Sequence, residues 1–196
     1  MSHSESDDGD SEVATRYAVV LDYLPHGRPD DSRPQYQKEA IAYAVAEDSF
    51  ELLELTLADE ADIGVVDRVV IGPDPDDEII ESVSSITFDG LSRSAVSELE
   101  YAVDAIIEAD EQRFVDVYND AQPISLRLHQ LNLLPGIGKK LRNKILDERK
   151  RGPFESFEEI SERVGGLHRP KEVIAERILE ELRDDELKYK IFVRPS

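Results

Sequence analysis

The residues best suited to chemistry in this chain form a short turn, residues 135–138 (Pro-Gly-Ile-Gly), followed at once by Lys139 and Lys140. Glycine has no Cβ, so the two glycines allow a sharp turn and a close approach of the backbone to a partner. The first amides of a helix that begins after this turn point outward unpaired, at the positive end of the helix dipole. Such main-chain N–H groups bind phosphate oxygens, and the lysines add positive charge. The sequence therefore predicts a phosphate-binding turn.

Apolar residues flank this turn at helical spacing. They are Leu131, Leu134, Ile137, Leu141 and Ile145. The pattern favours two helices folded against each other, and it resembles the helix-hairpin-helix motif, which binds nucleic-acid backbones without sequence preference. The alternative is a helical hairpin that packs and binds nothing. The motif generally has a small residue where this chain has Arg142, which either loosens the packing or points outward and adds to the basic face.

The candidate nucleic-acid-binding residues are the turn, the basic residues after it, and two basic residues after a second glycine pair at 165–166. They are Pro135, Gly136, Ile137, Gly138, Lys139, Lys140, Arg142, Lys144, Arg169 and Lys171. The second turn lacks the Pro-Gly-Ile-Gly pattern, so we expect it to be a structural partner with weaker contacts. Helix-hairpin-helix turns also hold monovalent cations through carbonyl oxygens, so K⁺ or Na⁺ at the first turn stays open. No other cofactor is predicted.

The charge is distributed unevenly along the chain. Residues 1–122 contain 7 Lys/Arg and 31 Asp/Glu, whereas residues 123–196 contain 16 Lys/Arg and 13 Asp/Glu, for a net charge of −21 overall. Only 8 of the 23 basic residues are lysine, and the composition resembles that of salt-accumulating archaea, whose excess carboxylates keep protein surfaces hydrated. Against this acidic background a net positive C-terminal third favours a nucleic-acid partner.

Composition also limits the class of protein. The absence of cysteine excludes disulfides and thiolate metal sites. No apolar run approaches the ~20 residues of a membrane-spanning helix. Residues 1–12 are rich in Ser, Asp and Glu, which predicts a disordered acidic tail and argues against a signal peptide. We therefore expect a cytoplasmic protein without a membrane partner.

An enzymatic reading finds little support in the residue patterns. The acidic cluster at residues 74–78 could be drawn as a metal site, but its Pro-punctuated sequence favours a solvated surface turn. Its carboxylates are Asp74, Asp76, Asp77 and Glu78. The four histidines lack paired zinc spacing, and no catalytic triad, Walker loop or Rossmann fingerprint is present. We expect no enzymatic activity.

Five short β-branched and aromatic segments between residues 13 and 90 predict strands separated by turns. Their order, with the segment 65–72 (VVDRVVIG), resembles a small OB-like β-barrel, a fold that commonly binds single strands by aromatic stacking in a basic groove. The aromatic residues are present but the basic groove is not. The alternative is that these rings form the barrel core and that the barrel contacts a protein.

The rest of the chain reads as helical. Residues 91–122 predict a helical connector, and residues 123–196 predict an all-α tandem helix-hairpin-helix domain. The alternating segment Lys188–Arg194 predicts a terminal strand, which either extends the basic surface or is a solvated edge. The predicted fold class is α+β, with the boundaries 1–12, 13–90, 91–122 and 123–196.

The run from Arg127 to Val164, together with residues 188–193 (KYKIFV), resembles an uncharacterised archaeal family described as RNA-binding. Its members join an OB-like barrel to a tandem helix-hairpin-helix, and the resemblance covers nearly everything after the acidic tail. It implies this architecture, and it implies RNA as the ligand although the family has no established activity. We expect a non-enzymatic RNA-binding protein, associated with ribosomes or translation. The alternatives are a DNA-binding protein of repair or recombination, and a protein-interaction adaptor with structural hairpins.

Overall fold

The short β-branched and aromatic segments before residue 90 form one antiparallel sheet in the computed structural model, which describes residues 13–194. The strands are β1 (Arg16–Leu24), β2 (Ile41–Ala46), β3 (Leu52–Leu57), β4 (Arg68–Gly72) and β5 (Ile80–Ser85). The helices are α1 (Arg93–Ala109), α2 (Glu111–Asp120), α3 (Lys139–Arg149), α4 (Phe157–Arg163) and α5 (Pro170–Arg183). Short 3-10 helices lie at Gln35–Gln37, Phe88–Gly90 and Gln130–Leu133. The α+β class is confirmed, and the predicted tail at 1–12 lies outside the described residues.

The sheet has the strand order β4-β1-β2-β3-β5 and curls into a half-barrel. β4 and β5 are its two edges, and β5 pairs antiparallel with β3. The predicted OB-like barrel is therefore wrong, because a closed barrel needs its edge strands to be joined. The polar sequence of β5, which exposes most of its side chains, explains why this edge faces solvent and does not continue into a closed core.

Both faces of the half-barrel are buried, which fixes the register of the strands. One face has a core of its own, in which small side chains such as Ala42 and Ala44 pack with larger ones such as Leu55. The other face carries residues such as Tyr43, which belong to the core shared with the helices.

One apolar core runs from the sheet through all five helices. Polar contacts reinforce it: the Arg113 guanidinium donates to the carbonyls of Glu47 and Asp48, each at 2.7 Å. The buried Tyr118 hydroxyl donates to the Pro170 carbonyl at 2.7 Å. These bonds fasten α2 to the sheet on one side and to α5 on the other.

The segment Lys188–Arg194 does not form the predicted terminal strand. The fully buried carboxylate of Glu181 accepts hydrogen bonds from the amides of Ile191, Phe192 and Val193, at 2.7, 2.9 and 2.9 Å. These are amides that a neighbouring strand would otherwise satisfy. A side chain of α5 therefore replaces the strand partner.

The segment before the first glycine turn also differs from the prediction. It is the four-residue 3-10 helix Gln130–Leu133, where an α-helix was expected. The chain just before it turns back in a tight loop closed by a bridge between Pro123 and His129, which leaves no room for helical turns. The predicted all-α tandem helix-hairpin-helix domain with a terminal strand is therefore wrong in its leading helix and in its strand. Among the described residues, no helix has the length and apolar character needed to cross a membrane.

Candidate nucleic-acid interface

The first glycine turn, residues 134–138, is a tight β-turn that runs into α3. The Ile137 amide donates to the Leu134 carbonyl at 3.2 Å, and Gly136 has a φ of +77°. A type II turn requires a positive φ at its third position, which favours glycine, and proline is common at its second. A side chain at 136 would be strained, so this glycine is required by the backbone.

Gly138, unlike Gly136, is not required by the backbone conformation. Its φ of −85° and ψ of −173° are open to any residue, and a Cβ built there would meet no atom within 4 Å. Neither the conformation nor the packing of the described residues therefore demands glycine at 138. The absent side chain leaves free space directly in front of the α3 N-terminus.

The α3 N-terminus carries no side-chain cap. The Arg142 amide donates to the Gly138 carbonyl at 2.9 Å and closes the first helical turn. The amides of Lys139, Lys140 and Leu141 precede this bond, and none has an acceptor among residues 13–194. Three N–H groups therefore point out of the positive end of the helix, which favours an anion.

Lys139 and Lys140 are exposed, and within residues 13–194 neither side chain forms an ion pair or a hydrogen bond. Arginines of the half-barrel behave differently, since four of them bind neighbouring carboxylates: Arg16 to Asp48, Arg28 to Glu54, Arg33 to Asp31 and Arg68 to Glu47. The uncompensated charge at the turn remains available to an external anion, whereas these sheet arginines are already paired.

The surroundings of the turn are poor in acid. Of the 196 residues 44 are acidic, yet residues 121–146 contain no Asp or Glu and five Lys or Arg. An open groove of about 600 Å³ beside the turn is lined by one acidic residue, Glu180, which is bound by Arg177 at 3.1 Å. An approaching phosphate therefore meets little uncompensated negative charge.

Arg142 supports the turn from behind. Its guanidinium donates to the Asn132 side-chain oxygen at 3.0 Å, and the Asn132 amide donates to the Ile137 carbonyl at 3.2 Å. This chain of bonds fixes the carbonyl in the middle of the turn. Arg142 therefore points neither freely outward nor into a helix interface, and its main effect is to hold the turn in shape.

The second glycine turn, residues 164–167, has the same geometry as the first. The Leu167 amide donates to the Val164 carbonyl at 3.2 Å, and Gly166 has a φ of +96°. The Lys144 ammonium donates to the Gly165 carbonyl at 3.1 Å. α3 thus carries the first turn at its N-terminus and contacts the second turn through its side, which brings the two turns onto one part of the surface.

The two basic residues predicted after the second turn differ in their surroundings. Arg169 is exposed at the start of α5 and has no partner among the described residues. Lys171 instead binds the Glu108 carboxylate of α1, and this hydrogen bond raises the pKa of Lys171. The structure therefore links the two turns through Lys144, and it leaves Arg169 without an ion pair in the described residues, while the charge of Lys171 is compensated.

Sequence reasoning missed Asn132 and His129, which shape the approach to the turn. His129 is buried, and its Nδ1 accepts the Leu131 amide at 3.1 Å, which caps the 3-10 helix. Burial, and then the charges of Arg149 and Arg142, lower the pKa of His129. The sequence signal that could have pointed to these two residues is the acid-free stretch 121–146, which begins well before the turn.

The acidic segment at residues 74–78 forms a turn that is stabilised by hydrogen bonds to Asp76. The Asp76 carboxylate accepts the Glu78 amide at 3.2 Å, and the Asp76 carbonyl accepts the amides of Ile79 and Ile80. Nowhere in the described span do three His, Asp or Glu side chains come close enough together to hold a metal ion.

Comparison with known proteins places the chain in a family. The family model described as "Protein of unknown function (DUF655)" matches residues 14–194. Uncharacterized protein MJ0038 of Methanocaldococcus jannaschii is 42% identical over 179 residues, covering 91% of this chain and 79% of that protein. The crystal structure of Af1531 from Archaeoglobus fulgidus, described with the same family, is similar with a TM-score of 0.81 and 42% identity, covering 91% of this chain and 99% of that one. The chain belongs to the archaeal DUF655 family.

Proposed function

We propose that this protein is a non-enzymatic nucleic-acid-binding protein, with RNA favoured over DNA, that holds the phosphate backbone at the first glycine turn. The amides of Lys139, Lys140 and Leu141 donate to a phosphate oxygen, and the two lysine ammonium groups neutralise its charge. The preference for RNA comes from the family resemblance of residues 127–164, because a phosphate grip does not itself distinguish the two sugars.

The observation that carries this proposal is the open glycine at 138. Neither the backbone conformation nor the packing of the described residues requires glycine at position 138. A side chain at this position would obstruct the uncapped N-terminus of α3. The two lysines beside it have no partner within residues 13–194, in a protein with a net charge of −21. Free space, free amides and free positive charge coincide at one point of the surface.

We also propose that the protein works in a salt-rich cytoplasm, as its acidic composition indicates. At molar salt the Debye length falls to about 3 Å, so long-range attraction by lysine is screened. Main-chain hydrogen bonds act at short range and are preorganised by the turn, so they keep their strength better. The amide grip is therefore the part of the site suited to this environment.

The substitution Gly138→Ser tests the proposal. Serine is a good helix N-cap, so its hydroxyl binds the amides that a phosphate would use and fills the space in front of them. We expect an unchanged or higher melting temperature together with a loss of affinity for structured RNA of about tenfold or more, the value of a charged hydrogen bond. Fluorescence anisotropy with labelled RNA, and with DNA of the same sequence, measures this loss and the preference between the two.

Gly64→Ala is the matched control, because its Cβ lies at an ordinary 3.5 Å from Asp67 Oδ2, in the half-barrel. This variant should bind RNA as the unaltered chain does. If Gly138→Ser is folded and binds RNA with unchanged affinity, the turn is structural and the proposal is wrong. If the unaltered chain binds the DNA more tightly than the RNA, the proposed partner is DNA and not RNA.

A further inference from the structure

A tight loop, residues 123–129, lies directly before the 3-10 helix that leads to the first glycine turn. It is closed at its base by a β-bridge between its first and last residues. The Ile124 amide donates to the Leu128 carbonyl at 2.8 Å, and the Ser125 hydroxyl oxygen accepts the amides of Arg127 and Leu128 at 3.3 and 3.1 Å. The loop is therefore held in one conformation by its own hydrogen bonds.

The tip of this loop presents Leu126 to solvent. Its relative exposure of 106% is the highest of any large apolar side chain in residues 13–194. Arg127, next to it, is also exposed, and its side chain has no ion pair or hydrogen bond in that span. The fold therefore leaves the whole Leu126 side chain and the charge of Arg127 available to an external partner, on a loop whose shape is already fixed.

The position of the loop indicates which partner this is. The 3-10 helix Gln130–Leu133 joins the loop to the first glycine turn, and at a rise of about 2 Å per residue it sets the loop base ~10 Å from the turn. Loop and turn share the acid-free stretch 121–146. A basic surface with one projecting apolar side chain matches a polyanion with apolar faces, which is the chemistry of a nucleic acid.

We infer that Leu126 and Arg127 form a second contact with the nucleic acid bound at the first glycine turn, and that this contact selects an interrupted helix. Leu126 inserts beside a base at a bulge or helix end, as apolar wedges do where stacking is already weakened. Arg127 binds the adjacent phosphate. The inference rests on the proposed function and narrows its ligand to structured RNA with an unpaired nucleotide.

The test compares two RNA duplexes that differ only by one unpaired nucleotide, with the full chain and its Leu126→Ser variant. Anisotropy titrations should give the unaltered chain an affinity about tenfold higher for the bulged duplex, as burial of a leucine allows. Leu126→Ser should bind both duplexes alike, at the affinity of the perfect one. With 2-aminopurine as the unpaired nucleotide, the unaltered chain should raise the fluorescence by unstacking the base, and the variant should not.

Two controls separate this contact from the turn. Tyr101→Ser removes another exposed apolar side chain, from α1, and should leave the preference for the bulged duplex unchanged. The double substitution Lys139→Ala and Lys140→Ala should weaken binding to both duplexes and keep the preference. If Leu126→Ser retains the preference, the inference is wrong, because something other than Leu126 then selects the unpaired nucleotide. If the unaltered chain binds neither duplex, the proposed function itself fails.

Discussion

Single side chains keep the first glycine turn open and correctly shaped. Asn132 and Arg142 fix the Ile137 carbonyl from behind, while Gly138 leaves the front of the turn empty. The open space at Gly138 follows from the sequence, because a glycine before a basic helix has no Cβ to fill it; the approach of a partner there stays a prediction. The role of Arg142 was not predictable, since the hydrogen bond to Asn132 joins residues ten apart whose directions depend on the fold.

His129 gives the approach to the turn a pH dependence. Its Nδ1 must be unprotonated to accept the Leu131 amide, and its pKa in the folded protein is lowered. The unfolded chain therefore takes up a proton first, so the stability from neutral His129 is complete above about pH 6.5 and is lost as the pH falls through the lowered pKa.

His129→Asn tests this dependence, because asparagine offers an oxygen to the same amide and does not titrate. Between about pH 7 and pH 5 we expect the melting temperature of the unaltered chain to fall more than that of the variant. The exposed His168→Asn is the control and should follow the unaltered chain. Parallel curves for the unaltered chain and His129→Asn would show that His129 does not protonate in this range.

At the scale of elements, the local residue pattern predicts the strands but not whether they close into a barrel. Short β-branched and aromatic segments predicted five strands between residues 13 and 90, and five strands are observed there, β2 (Ile41–Ala46) among them. Whether edge strands meet is decided by long-range pairing, and the polar β5 stays an edge. Lys171 gave no local sign that it would bind Glu108, which lies 63 residues away in the chain.

The C-terminal segment was misread for a related reason. Its alternating side chains are those of a strand, but its amides bind the Glu181 carboxylate, and Arg177 binds the same carboxylate at 3.0 Å. A pattern of side chains cannot reveal that a buried acid of another element replaces the partner strand.

Glu181→Gln should release this segment. The substitution removes the charge that Arg177 faces and puts an N–H donor against amide donors, so we expect the free energy of unfolding to fall by about 3 kcal/mol. Hydrogen–deuterium exchange at residues 191–193 should quicken. Glu176→Gln, on the exposed face of α5, is the matched control and should change neither quantity. Unchanged exchange in Glu181→Gln would mean that apolar packing around Phe192 holds the segment without the carboxylate.

At the scale of the whole molecule, the charge is divided along the chain, whereas the larger of two apolar cores spans this division. Net negative charge lies before residue 123 and net positive charge after it, yet one apolar core joins the sheet to all five helices. The sheet and the C-terminal helices are therefore packed as one unit. The proposed phosphate site requires such packing, because its amides must stay aimed at a fixed point.

The most direct measurement of the central claim maps the backbone amide chemical shifts of the full chain with and without saturating structured RNA in molar KCl. The largest shift changes should fall at residues 136–141, where the turn and its uncapped amides contact a phosphate, with little change in the half-barrel strands. Changes concentrated in the half-barrel, or binding that leaves residues 136–141 unshifted, would contradict the account.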